Sequence, residues 1–222
     1  MKTDAQLQQD VIAELKWEPS INATDIGVEV KDGVVTLAGH VKSFGGKWDA
    51  EKAAQRVSGV KALAIEMDVM LFGSSIRSDA DIARAVENTL EWTTYLLKDD
   101  VRVMVEDGWV TLSGEVNWSY QRESAAGAVR YLMGVKGVSN NIAIKTKSSS
   151  INALSSDIKS DIGAALKRRA YSDASRVSVD VQNGDVTLTG QVHSWSERNL
   201  ISDCAWSSPG VRSVNNNISI TF

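Results

Sequence analysis

Residues 105–116 read VEDGWVTLSGEV, and close variants stand at 30–41 (VKDGVVTLAGHV) and 181–192 (VQNGDVTLTGQV). No other feature constrains the fold as much, because elements repeated in register imply several copies of one supersecondary unit. Gly33, Gly108 and Gly184 lie 75 and 76 residues apart; Gly39, Gly114 and Gly190 follow six residues later, and Gly59, Gly134 and Gly210 twenty after those. The chain divides into units 1–72, 76–146 and 152–222, joined by FGSSIRS and TKSSSIN, whose serines favour mobile linkers.

Periodicity gives the order of elements within a unit. Leu7, Val11 and Leu15 recur every fourth residue, as do Ile82, Val86 and Leu90, and Ile158, Ile162 and Leu166; this spacing lines up one apolar face of an opening helix. In the hairpin, Val35, Leu37 and Val41 keep one parity, as do Val110, Leu112 and Val116, and Val186, Leu188 and Val192, which predicts a strand with one buried face. Asp32-Gly33, Asp107-Gly108 and Asn183-Gly184 suit a tight turn that needs positive φ. Gly39, Gly114 and Gly190 fall on the buried parity of the second strand, where a missing side chain permits a close helix or a bulge. A second, alanine-rich helix follows (Ala50, Ala53 and Ala54; Ala125, Ala128 and Val129; Ile201, Cys204 and Ala205), closed by Gly59, Gly134 and Gly210 as left-handed caps. A third strand ends each unit. The expected fold is α+β: three tandem α-β-β-α-β domains, each a three-stranded mixed sheet with two helices on one face. The right-handed crossover makes strand three parallel to strand two.

Composition narrows the function. With 43% hydrophobic and 23% charged residues the chain can form several small cores, and a net charge of −4 argues against a general nucleic-acid surface. The single cysteine, Cys204, permits no intramolecular disulfide and occupies an alanine position, which predicts a buried, inert thiol. The start, MKTDAQLQQDV, has no apolar leader and nothing approaches a bilayer span, so the chain as written reads as cytoplasmic.

The pattern G-x-V-T-L-x-G-x-V, an alanine-rich helix, then G-V-x-x-V/L and a closing strand resembles the BON domain, and the resemblance covers essentially the whole chain as three copies. It implies a non-enzymatic module of osmotically inducible periplasmic or envelope proteins that attaches to phospholipid surfaces or apolar ligands. It brings no catalytic residues and no cofactor.

The residues themselves offer little chemistry. His40 and His193 stand at non-equivalent positions and read as exposed strand-end side chains rather than part of a triad or metal site. SFGGKW (43–48) lacks the first glycine of a phosphate loop, and Trp48 stands where Ser or Thr would hold magnesium. GVKG (134–137) has KH-like spacing but joins a helix to a strand. Asp99 and Asp100 read as solvated loop charges.

Seven tryptophans are more informative. If the first helix runs up and the second down, the end of one and the start of the other share a pole. That pole would collect Trp17, Phe44 and Trp48; Trp92, Trp118 and Tyr120; and Tyr171 and Trp195. These rings either close the ends of small cores or form amphipathic rims suited to a membrane interface. Lys47, Arg122 and Arg198 occupy one position in the first turn of the second helix, where the helix dipole disfavours a cation. A lipid phosphate or other anion bound there would compensate. Lys167, Arg168 and Arg169 add charge to the third unit, which has equal numbers of basic and acidic residues. Trp109 faces outward on the second strand and is expected to dock against another unit, the alternative being a ligand-contact patch. The resulting expectation is a repeated binding module whose weak contacts add through avidity on a phospholipid surface. The alternative is a protein scaffold or self-associating protein using the same rims. No metal or nucleic acid is expected as a partner.

Overall fold

The computed structural model describes residues 2–94, 100–145, 155–168 and 176–221. Three units of one topology follow each other. The first comprises α1 (Asp4–Trp17), β1 (Ile26–Lys31), β2 (Val34–Val41), α2 (Phe44–Arg56) and β3 (Ala62–Val69). The second has α3 (Asp79–Glu91), β4 (Val101–Glu106), β5 (Trp109–Val116), α4 (Ser119–Arg130) and β6 (Gly137–Ile144). The third has α5 (Ser155–Arg168), β7 (Val177–Gln182), β8 (Asp185–Val192), α6 (Trp195–Trp206) and β9 (Ser213–Ile220). Each sheet is three-stranded, with its second strand central, antiparallel to the first and parallel to the third. The fold is the α+β class that the sequence predicts.

Apolar periodicity determines what each unit buries. Leu7, Val11 and Leu15 meet Val35, Leu37, Ala50, Ala53 and Met67 in one core, and the second and third units form separate cores from equivalent positions. Cys204 is buried in the third core. At each hairpin, Asp32, Asp107 and Asn183 and the glycines after them take positive φ, as a two-residue turn twisted to match its strands requires. Asp4 Oδ2 and Oδ1 accept from Asp32 N (2.7 Å) and Gly33 N (3.0 Å). Asp79 makes the same clasp on Asp107 and Gly108 at 2.9 and 2.8 Å.

Gly39, Gly114 and Gly190 have a cause that parity alone does not give. A Cβ at Gly39, φ 133°, would overlap the carbonyl oxygen of Asp25 at the start of β1. Gly114 and Gly190 stand in the same relation to Asp100 and Arg176. The close neighbour is therefore the adjacent strand's entry, and not a helix.

The connector at 72–78 is more ordered than its serines suggest. It holds a 3-10 turn at Gly73–Ser75, Arg77 donates to the carbonyls of Ser74 (2.5 Å) and Ile76 (2.8 Å), and Ser78 caps α3. All of TKSSSIN lies outside the described residues.

The units touch through their second helices, head to tail. Phe44, opening α2, packs against the core of unit two, and Trp195, opening α6, packs against that of unit one. Along the helices, Arg130 at the end of α4 lies over the Trp48 ring near the start of α2, 3.6 Å from its centroid. Arg122 near the start of α4 faces Trp206 at the end of α6 at 5.4 Å, and Asn199 of α6 donates to Gln55 of α2 at 3.4 Å. Trp48 and Asn199 are equivalent positions in their repeats, as are Gln55, Arg130 and Trp206. A heterologous contact made three times in one sense closes a ring, here a pseudo-trimer within one chain.

Candidate functional site

Placed on this ring, the aromatic residues fall into two sets. Phe44, Trp48 and Trp195 are half-buried and engage neighbouring units. Trp17 and Trp92, the last residue of α1 and the residue that caps α3, stand 83% and 87% exposed. Trp118 and Tyr120 are exposed less fully, beside the start of α4. Ile21, just beyond α1, lies beside Gly46 in the first turn of α2. The two helix ends thus approach one another, but the start of α2 is a joint and not an open rim.

The cations of the second helices are engaged internally. Lys47 Nζ donates to the Met67 carbonyl at 2.7 Å. Arg198 donates from Nε to the Ile218 carbonyl (3.1 Å) and from Nη2 to the Asn216 carbonyl (2.6 Å). Met67 and Ile218 are equivalent residues of the third strands. Arg122 instead pairs with Glu123 at 3.2 Å and faces Trp206. The helix starts are capped as well. Ser43 accepts from Gly46 N (3.1 Å) and Ser194 from Glu197 N (3.2 Å), while Gln121 accepts from Asn117 N and Trp118 N (both 3.0 Å). The compensation that the dipole argument seeks comes from strand carbonyls and local caps.

Trp109 also has a local explanation. Its ring lies over Gly137 of the paired strand and its Nε1 donates to Ser139 at 2.8 Å, so it covers its own sheet instead of docking on another unit. Lys167 and Arg168 are exposed in the last turn of α5, where the dipole favours them. Arg169, Tyr171 and Asp99 lie outside the described residues.

Two aromatic residues at the joints escaped the sequence reading. Tyr131 donates its hydroxyl to Asp49 Oδ1 across the joint between units one and two at 2.8 Å, and this bond raises its pKa above the ordinary tyrosine value. Trp206 meets Arg122 across the second joint. Neither stands at a position aromatic in all three repeats, so only knowledge of the joints could have singled them out. Within unit one, Arg56 donates to Glu14 (2.7 Å) and Glu18 (3.1 Å), tying α2 to α1 and lowering the Glu18 pKa.

His40 is exposed and His193 faces Arg176 at 3.4 Å. Among the described residues no three His, Cys, Asp or Glu side chains gather as a metal site.

The BON domain family matches three times, at residues 3–69, 78–146 and 155–221. The chain belongs to the BON domain family. It is 32% identical over 148 residues to osmotically-inducible protein Y of Escherichia coli K12, covering 64% of this chain and 73% of that protein. Among solved structures, CdsD, a structural protein of the type III secretion system of Chlamydia trachomatis, aligns over 96% of this chain and 91% of its own at 16% identity with a TM-score of 0.27. The periplasmic domain of PrgH, a type III secretion inner-membrane protein from S. typhimurium, aligns over 95% and 98% at 15% identity with a TM-score of 0.24. Scores this low carry no argument about these BON units. No helix among the described residues is long and apolar enough to cross a membrane.

Proposed function

We propose that this three-BON chain is a non-catalytic module of the osmotic stress response that rests peripherally on anionic phospholipid at the cell envelope. The observation that carries the reading is the pair of nearly fully exposed indoles, Trp17 and Trp92, at one repeat position whose third occupant is Arg168. In a head-to-tail ring, equivalent positions lie on one side of the assembly. Two tryptophans and the Lys167-Arg168 pair would then face the same surface. Indoles suit the headgroup level of a bilayer, and each basic residue near an anionic leaflet contributes about 1 kcal/mol. The net charge of −4 opposes such binding, so the indoles must supply much of it. The osmotic role rests on family membership and on the likeness to osmotically-inducible protein Y.

Flotation of the whole chain with phosphatidylglycerol and phosphatidylcholine vesicles tests this. Binding should favour phosphatidylglycerol, weaken with salt, and fall at least about tenfold in Trp17→Ala/Trp92→Ala, since burying a large apolar side chain contributes about 1.5–3 kcal/mol. Binding unchanged by that double substitution would overturn the reading. A scaffold for other proteins is the second reading, favoured by the use of Phe44, Trp48 and Trp195 as contacts between domains. Concentration-dependent self-association without lipid would support it.

A further inference from the structure

The groove between the first and second helices is bridged by ion pairs in unit one and holds a cavity in unit three. In unit one, Arg56 reaches across it to Glu14 and Glu18. In unit two the residue equivalent to Arg56 is Tyr131, whose ring stands against Gly45 of unit one, and Leu132 packs onto the core beside it. In unit three the positions of Glu14 and Arg56 are Ala165 and Ser207, and Val57 and Leu132 are replaced by Ser208. A cavity of about 460 Å³ opens there between α5 and α6. Ser208, 8% exposed, brings to its wall a buried hydroxyl with no hydrogen-bond partner among the described residues.

The ring also treats the third core differently. Phe44 packs on the core of unit two and Trp195 on that of unit one, but the equivalent residue of unit two is Ser119. Among the described residues the core of unit three receives no ring from a neighbour. Two of the cores are thus packed by an aromatic side chain of a neighbouring unit, and among the described residues the third is not.

We propose that this groove binds a small aromatic monoanion. Its volume falls within the range of small-molecule sites. Ala165 and Pro209 offer apolar surface to a planar body, with Ile162 and Cys204 buried beneath it. Arg168 lies at one end and has no ionic partner among the described residues, so it can pair with a carboxylate or sulfonate. Asp161, two helical turns away on the same lining, repels a second negative charge and selects against polyanions. The site shares Arg168 with the basic pair of the proposed lipid face but does not involve Trp17 or Trp92.

Fluorescence titration of the whole chain, without lipid, with 1-anilinonaphthalene-8-sulfonate as the aromatic monoanion tests the proposal. One saturable site is expected. Ala165→Glu/Ser207→Arg transplants the Glu14–Arg56 pair of unit one and should weaken dye binding at least tenfold. Should that pair fail to fold, Ser208→Leu, copying Leu132, narrows the same wall and should weaken binding at least threefold. Trp17→Ala/Trp92→Ala should bind the dye normally, which separates this site from the membrane reading. Unsaturable dye uptake, or full binding by a folded filled-groove variant, would each overturn it.

Discussion

The first and third units share their strand register, their positive-φ turns and their apolar core positions, yet differ in how the same parts are fastened. In unit one Asp4 clasps the hairpin turn and Arg56 ties the helices together. In unit three those positions are Ser155 and Ser207, and the helix groove is open. The difference separates two layers of the repeat. Residues that define the backbone path are held constant, because a wrong choice overlaps another strand. Residues that fasten helix to turn or helix to helix have diverged, because each contributes only about 1 kcal/mol and its loss is survivable.

The hardest test of the constant layer is Gly190→Val. Its Cβ would overlap the Arg176 carbonyl at a φ of 141°, a steric and a conformational penalty together. Roughly 4 kcal/mol or more is expected, read as loss of amide protection in β7–β9 with β1–β3 still protected. Gly39→Val should do the converse. Uniform loss across all three units would mean that the ring folds as one cooperative body.

Next in size is Trp195→Ala. The side chain belongs by sequence to unit three but packs on the core of unit one. Truncation of a large aromatic costs about 3–5 kcal/mol when fully buried; half-buried, Trp195 should give about 2. Hydrogen exchange should quicken in α2 as well as in α6. An effect confined to unit three would break the ring description.

The diverged layer predicts a smaller, opposite pair. Asp4→Ala should destabilise unit one by about 1 kcal/mol through two lost bonds to turn amides. Ser155→Asp should give unit three the clasp it lacks and stabilise it by a similar amount. Urea unfolding followed by amide exchange in each hairpin reads both, and no gain from Ser155→Asp would show that the clasp depends on more than the carboxylate.

Much of this was legible in the sequence, for a physical reason. Turn glycines, strand parity and the four-residue spacing of Leu7, Val11 and Leu15 reflect contacts inside one unit, and threefold repetition amplified them. The joints were not legible, because each pairs two different positions of the repeat. Lys47 and Arg198 illustrate the limit. Their shared position at a helix start suggested an external anion, while the partner was the carbonyl of a third strand twenty residues on. Trp109 read as a docking residue because its parity is outward, yet the absent side chain at Gly137 gave its ring a seat on its own sheet.

The smallest effect concerns the joint between units one and two. Tyr131 donates to Asp49, and that bond, with partial burial, holds its folded-state pKa above the ordinary value of about 10. Its contribution is therefore complete below the unfolded pKa and disappears as pH rises through the higher folded pKa, when the phenolate must face the Asp49 carboxylate. Tyr131 is largely exposed, so solvent screening keeps the term below about 1 kcal/mol. Tyr131→Phe should lower the urea midpoint slightly at pH 8. The gap between variant and parent should shrink as pH passes 10, because the parent alone loses the bond. A gap that stays constant with pH would assign the effect to the ring packed against Gly45 and remove Asp49 from the joint.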